Sequence, residues 1–353
     1  MLSEIILLNQ ERNVTLTTFI QPVGGEFGYI DKRPAILVIP GGGYQMCSDR
    51  EAEVIAIEYL RAGYQAFVLR YSIKKDAIWP NPLNDYDQAM ELIRSKAEEW
   101  NIYEDKVAVV GFSAGGHLAS AAATMAKNRP NAAILGYAVI TEETAHMCSA
   151  TAPSTWDKVD GNTCPCFIFS TRTDHVVPVT NSLQFMNALD KAGIAFESHI
   201  YSHGPHGFST GNSAVQAPDT AICNRAVRWV NDSIEWLKDI LGDFATDGGM
   251  TKPRCMKKLF ADDEEFLSID CRMSYLIQQA GAQQVLTPLL QGIKEKTGAF
   301  EEQSDMADEE KGMDMSVMIA NMTLRDALSF ASFPKEMLEQ IDHQLRQIPN
   351  KYC

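Results

Sequence analysis

Residues 107–118 read Val-Ala-Val-Val-Gly-Phe-Ser-Ala-Gly-Gly-His-Leu. An apolar run breaks into Gly111-Phe112-Ser113-Ala114-Gly115 and continues as a small-residue helical stretch. In this setting, after a buried strand and before a helix, G-x-S-x-G is a nucleophile elbow. The turn holds Ser113 in a strained backbone conformation and projects its hydroxyl above the sheet. Gly111 and Gly115 are required because strand and helix pass too close there for side chains. The motif alone arises by chance in many chains; its flanks give it meaning. It commits this chain to strands alternating with helices and points to Ser113 as a nucleophile.

A serine hydroxyl is a weak nucleophile at neutral pH. It needs a histidine to take its proton and a carboxylate to hold that histidine. In this arrangement the carboxylate follows the serine in the chain and the histidine comes last. Residues 165–171 read as the next buried strand with Asp174 just past its end, and loops at strand carboxyl ends carry function in sheets of this kind. Residues 195–201 form another strand, followed by Ser202-His203-Gly204-Pro205-His206-Gly207-Phe208. His206 is the preferred base, with His203 as its rival in the same loop. His175 adjoins Asp174 and lines that loop, and His117 supports packing or the nucleophile loop. Asp174 by itself would read as a turn-capping residue; its place between Ser113 and His206 gives it the orienting role.

Acyl transfer also needs backbone N–H groups aimed at the oxygen that becomes negative. The strand Ala35–Ile39 runs into Pro40-Gly41-Gly42-Gly43-Tyr44, and three glycines let bare backbone approach a substrate. Neither G-x-G-x-x-G nor a Gly-Lys-Ser/Thr pair is present, which argues against a nucleotide loop. The hole is expected from Gly42, Gly43 and Ala114. Tyr44, Trp79 and Trp156 are candidates for the substrate pocket, the two tryptophans as sugar or acyl platforms, with ordinary packing as the competing reading.

With these residues in view, positions 1–242 resemble the α/β-hydrolase superfamily, in its lipase/esterase branch. Within that branch they are similar to bacterial acetyl-esterase and acetylxylan-esterase-like proteins. Ile39 to Tyr44, Gly111 to Ala119, Asp174 to Ser182 and Gly204 to Ser209 carry the match. One departure is Pro40, where the family usually places a histidine before the three glycines. The resemblance implies an α/β-hydrolase fold, a mostly parallel doubly wound sheet with helices on both faces. It also implies a serine carboxylic-ester hydrolase that removes short acyl groups, acetate above all, from a carbohydrate or other small alcohol. No cofactor or metal enters this chemistry. Two other readings stay open: an amide hydrolase of formamidase or peptidase type, and an inactive scaffold acting through the C-terminal region.

Composition agrees with that class. The formal charge of −15 over 353 residues argues against nucleic acid and supplies no basic patch for an anionic membrane. The opening Met-Leu-Ser-Glu-Ile-Ile-Leu-Leu has no basic leader and reads as a first strand, which sets the expectation of a cytoplasmic protein. Eight scattered cysteines, Cys164 and Cys166 among them, lack zinc-site spacing and read as free thiols.

Strands are expected at 3–8, 14–20, 35–40, 65–70, 107–111, 132–140, 165–171 and 195–201. Helices are expected at 50–62, 83–100, 113–127 and 220–240, giving a doubly wound sheet. Residues 141–163 lack strong periodicity and read as a cap insertion. After the hydrolase region at 1–242, residues 243–254 read as a linker and 255–353 as a helical C-terminal extension. Helical patterns cover about 255–295 and 314–348, around an acidic, mobile segment near 301–310. Met315, Met318 and Met322 recur at helical spacing, which suits a small bundle or a surface for homo-oligomerisation.

Overall fold

The computed structural model describes residues 1–262, 264–289 and 321–350. The chain divides into two compact units, Met1–Lys257 and Lys258–Cys353. The first is built on one eight-stranded sheet: β1 (Leu2–Asn9), β2 (Val14–Ile20), β3 (Arg33–Ile39), β4 (Gln65–Arg70), β5 (Ile102–Phe112), β6 (Ala132–Gly136), β7 (Cys166–Thr171) and β8 (Phe196–Tyr201). Their order across the sheet is β1-β2-β4-β3-β5-β6-β7-β8. β2 pairs antiparallel with both β1 and β4, and every other pair is parallel.

The parallel strands connect through helices that cover both faces: α1 (Glu53–Arg61), α2 (Asn81–Ser95), α3 (Ser113–Met125), α4 (Glu142–Cys148), α5 (Thr180–Lys191) and α6 (Trp229–Leu241). Coverage on both sides explains why β3, β6 and β7 are buried at every position and read as unbroken apolar runs. The period of two still sorts their side chains. Ala35, Leu37, Val107 and Val109 join one core layer, whereas Ile36, Val38, Ala108 and Val110 join the other. β3 and β5 lie at the centre, so their carboxyl ends bring the glycine loop and the elbow side by side.

Several boundaries differ from the sequence reading. β6 stops at Gly136 because Tyr137 turns into the left-handed region (φ +35°), ending the strand expected to reach 140. Residues 142–148 form α4 inside the supposed aperiodic insertion. Its start is capped by Thr141, whose hydroxyl accepts the Thr144 N–H, with Glu142 and Glu143 favourably placed in the first turn. The presumed linker 243–254 folds back within the first unit. Phe244 and Met250 share a bridge, as do Ile30 and Gly248, and the Arg33 guanidinium lies 5.9 Å from the Phe244 ring centre. The boundary therefore falls at Lys257/Lys258.

The second unit has its own core, including Leu267, Ile269, Leu276, Leu324, Leu338 and Leu345. Its described helices include α7 (Met273–Gln278) and those at Leu324–Phe330 and Lys335–Leu345. The described part of 255–272, expected to be helical, is not. Leu267 donates to the Ile348 carbonyl and Asn350 to that of Glu265, so the backbone bonds reach across the unit and not one turn back. The acidic segment 301–310, Met315 and Met318 lie outside the described residues. Among the described residues no helix is long and apolar enough to cross a membrane.

Candidate active site

Ser113 is the first residue of α3 and sits at φ +54°, a conformation that L-residues rarely adopt. The turn is possible because strand and helix approach so closely: a Cβ on Gly111 would lie 2.2 Å from the Gly115 carbonyl oxygen. The Ser113 Oγ lies 2.8 Å from His206 Nε2, and His206 Nδ1 lies 2.7 Å from Asp174 Oδ2. A carboxylate only accepts, so Nδ1 carries the proton and Nε2 is left to accept from the serine hydroxyl. Asp174 is fixed in turn, because its Oδ1 accepts the N–H groups of Val176 and Val177, both at 2.9 Å. Its side chain is 1% exposed, that of His206 17%. The carboxylate is thus shielded while the imidazole stays open to the cleft.

The His206 loop is anchored at its start, where Thr171 Oγ1 and Thr173 Oγ1 donate to the Gly204 carbonyl at 2.8 and 3.2 Å. His203 is exposed, with its ring Nδ1 3.0 Å from Ser202 Oγ, and His175 is exposed. Neither joins the relay.

On the opposite wall the glycine loop curls back on itself. The Gly42 carbonyl accepts from Gln45 and Met46, and the Gly41 carbonyl accepts from Ser48. Gly42 (φ +128°) has no room for a side chain, since its Cβ would fall 2.3 Å from the Met46 carbonyl oxygen. Among the described residues, the N–H groups of Gly42 and Gly43 donate to no protein acceptor. Ala114 lies in the first turn of α3, where N–H groups lack an intrahelical partner. Gly42, Gly43, Ser113 and His206 all line one cleft of about 420 Å³, which Met46, Met147 and Val176 edge with exposed apolar surface.

Tyr44, Trp79 and Trp156 do not line this cleft. They pack elsewhere, two of them around His117. Tyr44 is buried and its hydroxyl lies 2.8 Å from His117 Nδ1, and the Trp79 ring meets the imidazole edge-on with centroids 5.4 Å apart. Trp156 is half-buried against the same core layer. His117 Nε2 lies 2.7 Å from the Pro153 carbonyl, so this ring ties the insertion to the nucleophile helix. Burial pushes its pKa down to about 4.

Two residues at the site went unseen in the sequence, Arg50 and Glu51. Arg50 donates to the Gly207 carbonyl, and Glu51 is buried beside Gly41. They occupy a short 3-10 turn, Asp49–Glu51, in a stretch read as the start of a helix. The available signal was the polar Ser48-Asp49-Arg50-Glu51 run a few residues after the glycine loop. No group of three or more His, Cys, Asp or Glu side chains suited to a metal occurs among the described residues.

A family model described as BD-FAE matches residues 29–130, and the prolyl oligopeptidase family model matches 142–235. The chain is 36% identical over 211 residues to endo-1,4-beta-xylanase B of Butyrivibrio fibrisolvens, covering 51% of this chain and 33% of that protein. It is 35% identical over 199 residues to the acetylxylan esterase of Xylanibacter ruminicola, covering 50% and 41%. The match thus spans less than half the length of these two curated relatives. Among solved structures, MGS-M1, an alpha/beta hydrolase enzyme from a Medee basin deep-sea metagenome library, is 43% identical. Its TM-score is 0.64, and the match covers 68% of this chain and 98% of that one. With 43% identity over 98% of that structure, the chain belongs to the α/β-hydrolase family.

Proposed function

We propose that this chain is a serine carboxylic-ester hydrolase acting on short acyl esters, acetyl first, of a carbohydrate or other small alcohol. His206 takes the proton of Ser113 as its Oγ attacks the ester carbonyl. Asp174 keeps the imidazole in the tautomer that can accept that proton and stabilises the imidazolium that forms. The developing oxyanion is received by the N–H groups of Gly42, Gly43 and Ala114. The alcohol leaves with the proton from His206. Water then attacks the acyl-enzyme by the same route and releases the acid.

The observation that carries this reading is the relay itself, Asp174 to His206 to Ser113, with bonds of 2.7 and 2.8 Å facing the open glycine loop. The acetyl preference draws on the relative named acetylxylan esterase. The test is hydrolysis of p-nitrophenyl acetate, butyrate and octanoate by the wild type and by Ser113→Ala. Turnover should be fastest on acetate and fall by about 10⁶-fold in kcat in the variant. Absence of Ser113-dependent turnover on every ester would reject the proposal.

A second reading, amide hydrolysis, is favoured by the prolyl oligopeptidase model, whose match contains both Asp174 and His206. Matched p-nitrophenyl ester and p-nitroanilide substrates separate the two.

A further inference from the structure

Glu51 is a buried carboxylate at the site that the relay does not use. Its Oε2 accepts the Gly41 N–H at 2.9 Å and its Oε1 accepts the Tyr137 hydroxyl at 2.6 Å. The Tyr137 oxygen accepts the Ser209 N–H at 3.0 Å, and the Ser209 carbonyl accepts the Trp229 indole N–H at 2.8 Å. The Tyr137 ring stands edge-on to the His206 imidazole, centroids 5.1 Å apart. The neighbouring Arg50 donates to the Gly207 carbonyl, and its own carbonyl accepts from Ser209 Oγ. One short turn therefore grips the residue preceding Gly42 and the residues following His206.

We infer that Glu51 is a positioning residue for acyl transfer, holding the glycine loop and the His206 loop in register through one shared carboxylate. The inference rests on the serine-hydrolase reading above and extends it to a residue outside the relay.

Both Glu51 oxygens face donors, a pattern that suits the ionised, acceptor-only form. Burying a carboxylate is unfavourable unless its charge is compensated, and an apolar side chain would fill this space without that penalty. A charge kept here calls for a use. Burial pushes the carboxyl pKa up, opposed by the Tyr137 and Gly41 hydrogen bonds and by His206 and Arg50 nearby. As an imidazolium forms on His206, Glu51 supplies a second negative charge in its surroundings. At the same time the Gly41 bond fixes the chain leading to the two glycine N–H groups. Geometry of this kind matters in the transition state more than in ground-state binding.

The test compares wild type, Glu51→Gln, Tyr137→Phe and the double variant on p-nitrophenyl acetate, with active sites counted by fluorophosphonate titration of Ser113. Glutamine keeps the size but turns an N–H₂ toward one donor; phenylalanine keeps the ring against His206 and removes the hydroxyl. In Glu51→Gln, kcat per titrated site should fall by about 10²-fold with KM within about threefold. Tyr137→Phe should show a smaller loss, and the double variant no more than Glu51→Gln alone, because the two act as one unit. A merely structural role would lower the titratable fraction or the Tm and leave kcat per titrated site unchanged. That result overturns the inference. Should Glu51→Gln fail to fold, Tyr137→Phe decides by the same measure. Wild type without Ser113-dependent turnover would instead sink the ester reading, and this inference with it.

Discussion

Two histidines of the hydrolase unit, His206 and His117, each have a polar partner on both ring nitrogens and a tyrosine ring edge-on alongside. Their partners set them apart. His206 has a carboxylate on Nδ1 and the Ser113 hydroxyl on Nε2, so a positive charge on the ring is compensated at once. His117 meets a carbonyl on Nε2 and the Tyr44 hydroxyl on Nδ1, and it is fully buried. The carbonyl only accepts, so Nε2 holds the proton and Nδ1 accepts from Tyr44. Charging this ring would orphan the tyrosine proton in a site with no counter-ion among those partners. Under the proposed mechanism the first ring moves a proton, whereas burial holds the second neutral.

The contrast can be broken most severely at Asp174. Asp174→Asn removes the charge and favours the wrong tautomer of His206. We expect kcat on p-nitrophenyl acetate to fall by about 10⁴-fold while the Tm changes little. A loss below tenfold would mean that Asp174 does not orient the base.

His117 sharpens the contrast through pH. Its folded pKa of about 4 lies below the ordinary 6.5, so between these values the unfolded chain binds more protons than the folded one. Its contribution to stability is complete above pH 6.5 and is lost as pH falls toward 4, by about 3 kcal/mol in all. Urea midpoints across pH 7 to 4 should show this slope in wild type. They should show it reduced in His117→Gln, whose amide can replace both hydrogen bonds.

The smallest effect belongs to Tyr44→Phe, which orphans His117 Nδ1 and should lower unfolding free energy at pH 7 by about 1–2 kcal/mol. An unchanged urea midpoint would show that this hydroxyl does nothing for the fold.

Much of this architecture could be read before the structure. β3, β7 and the Val107–Phe112 half of β5 are buried on both faces, so largely apolar runs betray them. Ser113, Asp174 and His206 follow in the chain order that the elbow demands, and the fold brings them into one hydrogen-bonded line. The rest depends on contacts that periodicity does not encode. Tyr44 and Trp79 stand in sequence as pocket candidates, with packing the other reading for the tryptophan, and a buried histidine draws both into packing. Glu51 falls at the start of a helix expected over 50–62, and only the fold shows Gly41 and Tyr137 closing on it. Residues 243–254 have linker composition, but Phe244 gives them an apolar anchor within the first unit: a Cβ on Gly63 would lie 2.7 Å from its ring.

The backbone of Ser113 has a consequence for how this protein can evolve. A left-handed angle at an L-residue is unfavourable by about 1–2 kcal/mol, a burden that glycine would not carry. Ser113→Gly should therefore yield a more durable molecule with no nucleophile. Selection for endurance alone would drift toward that inert form, and only continued demand for turnover holds the serine in place.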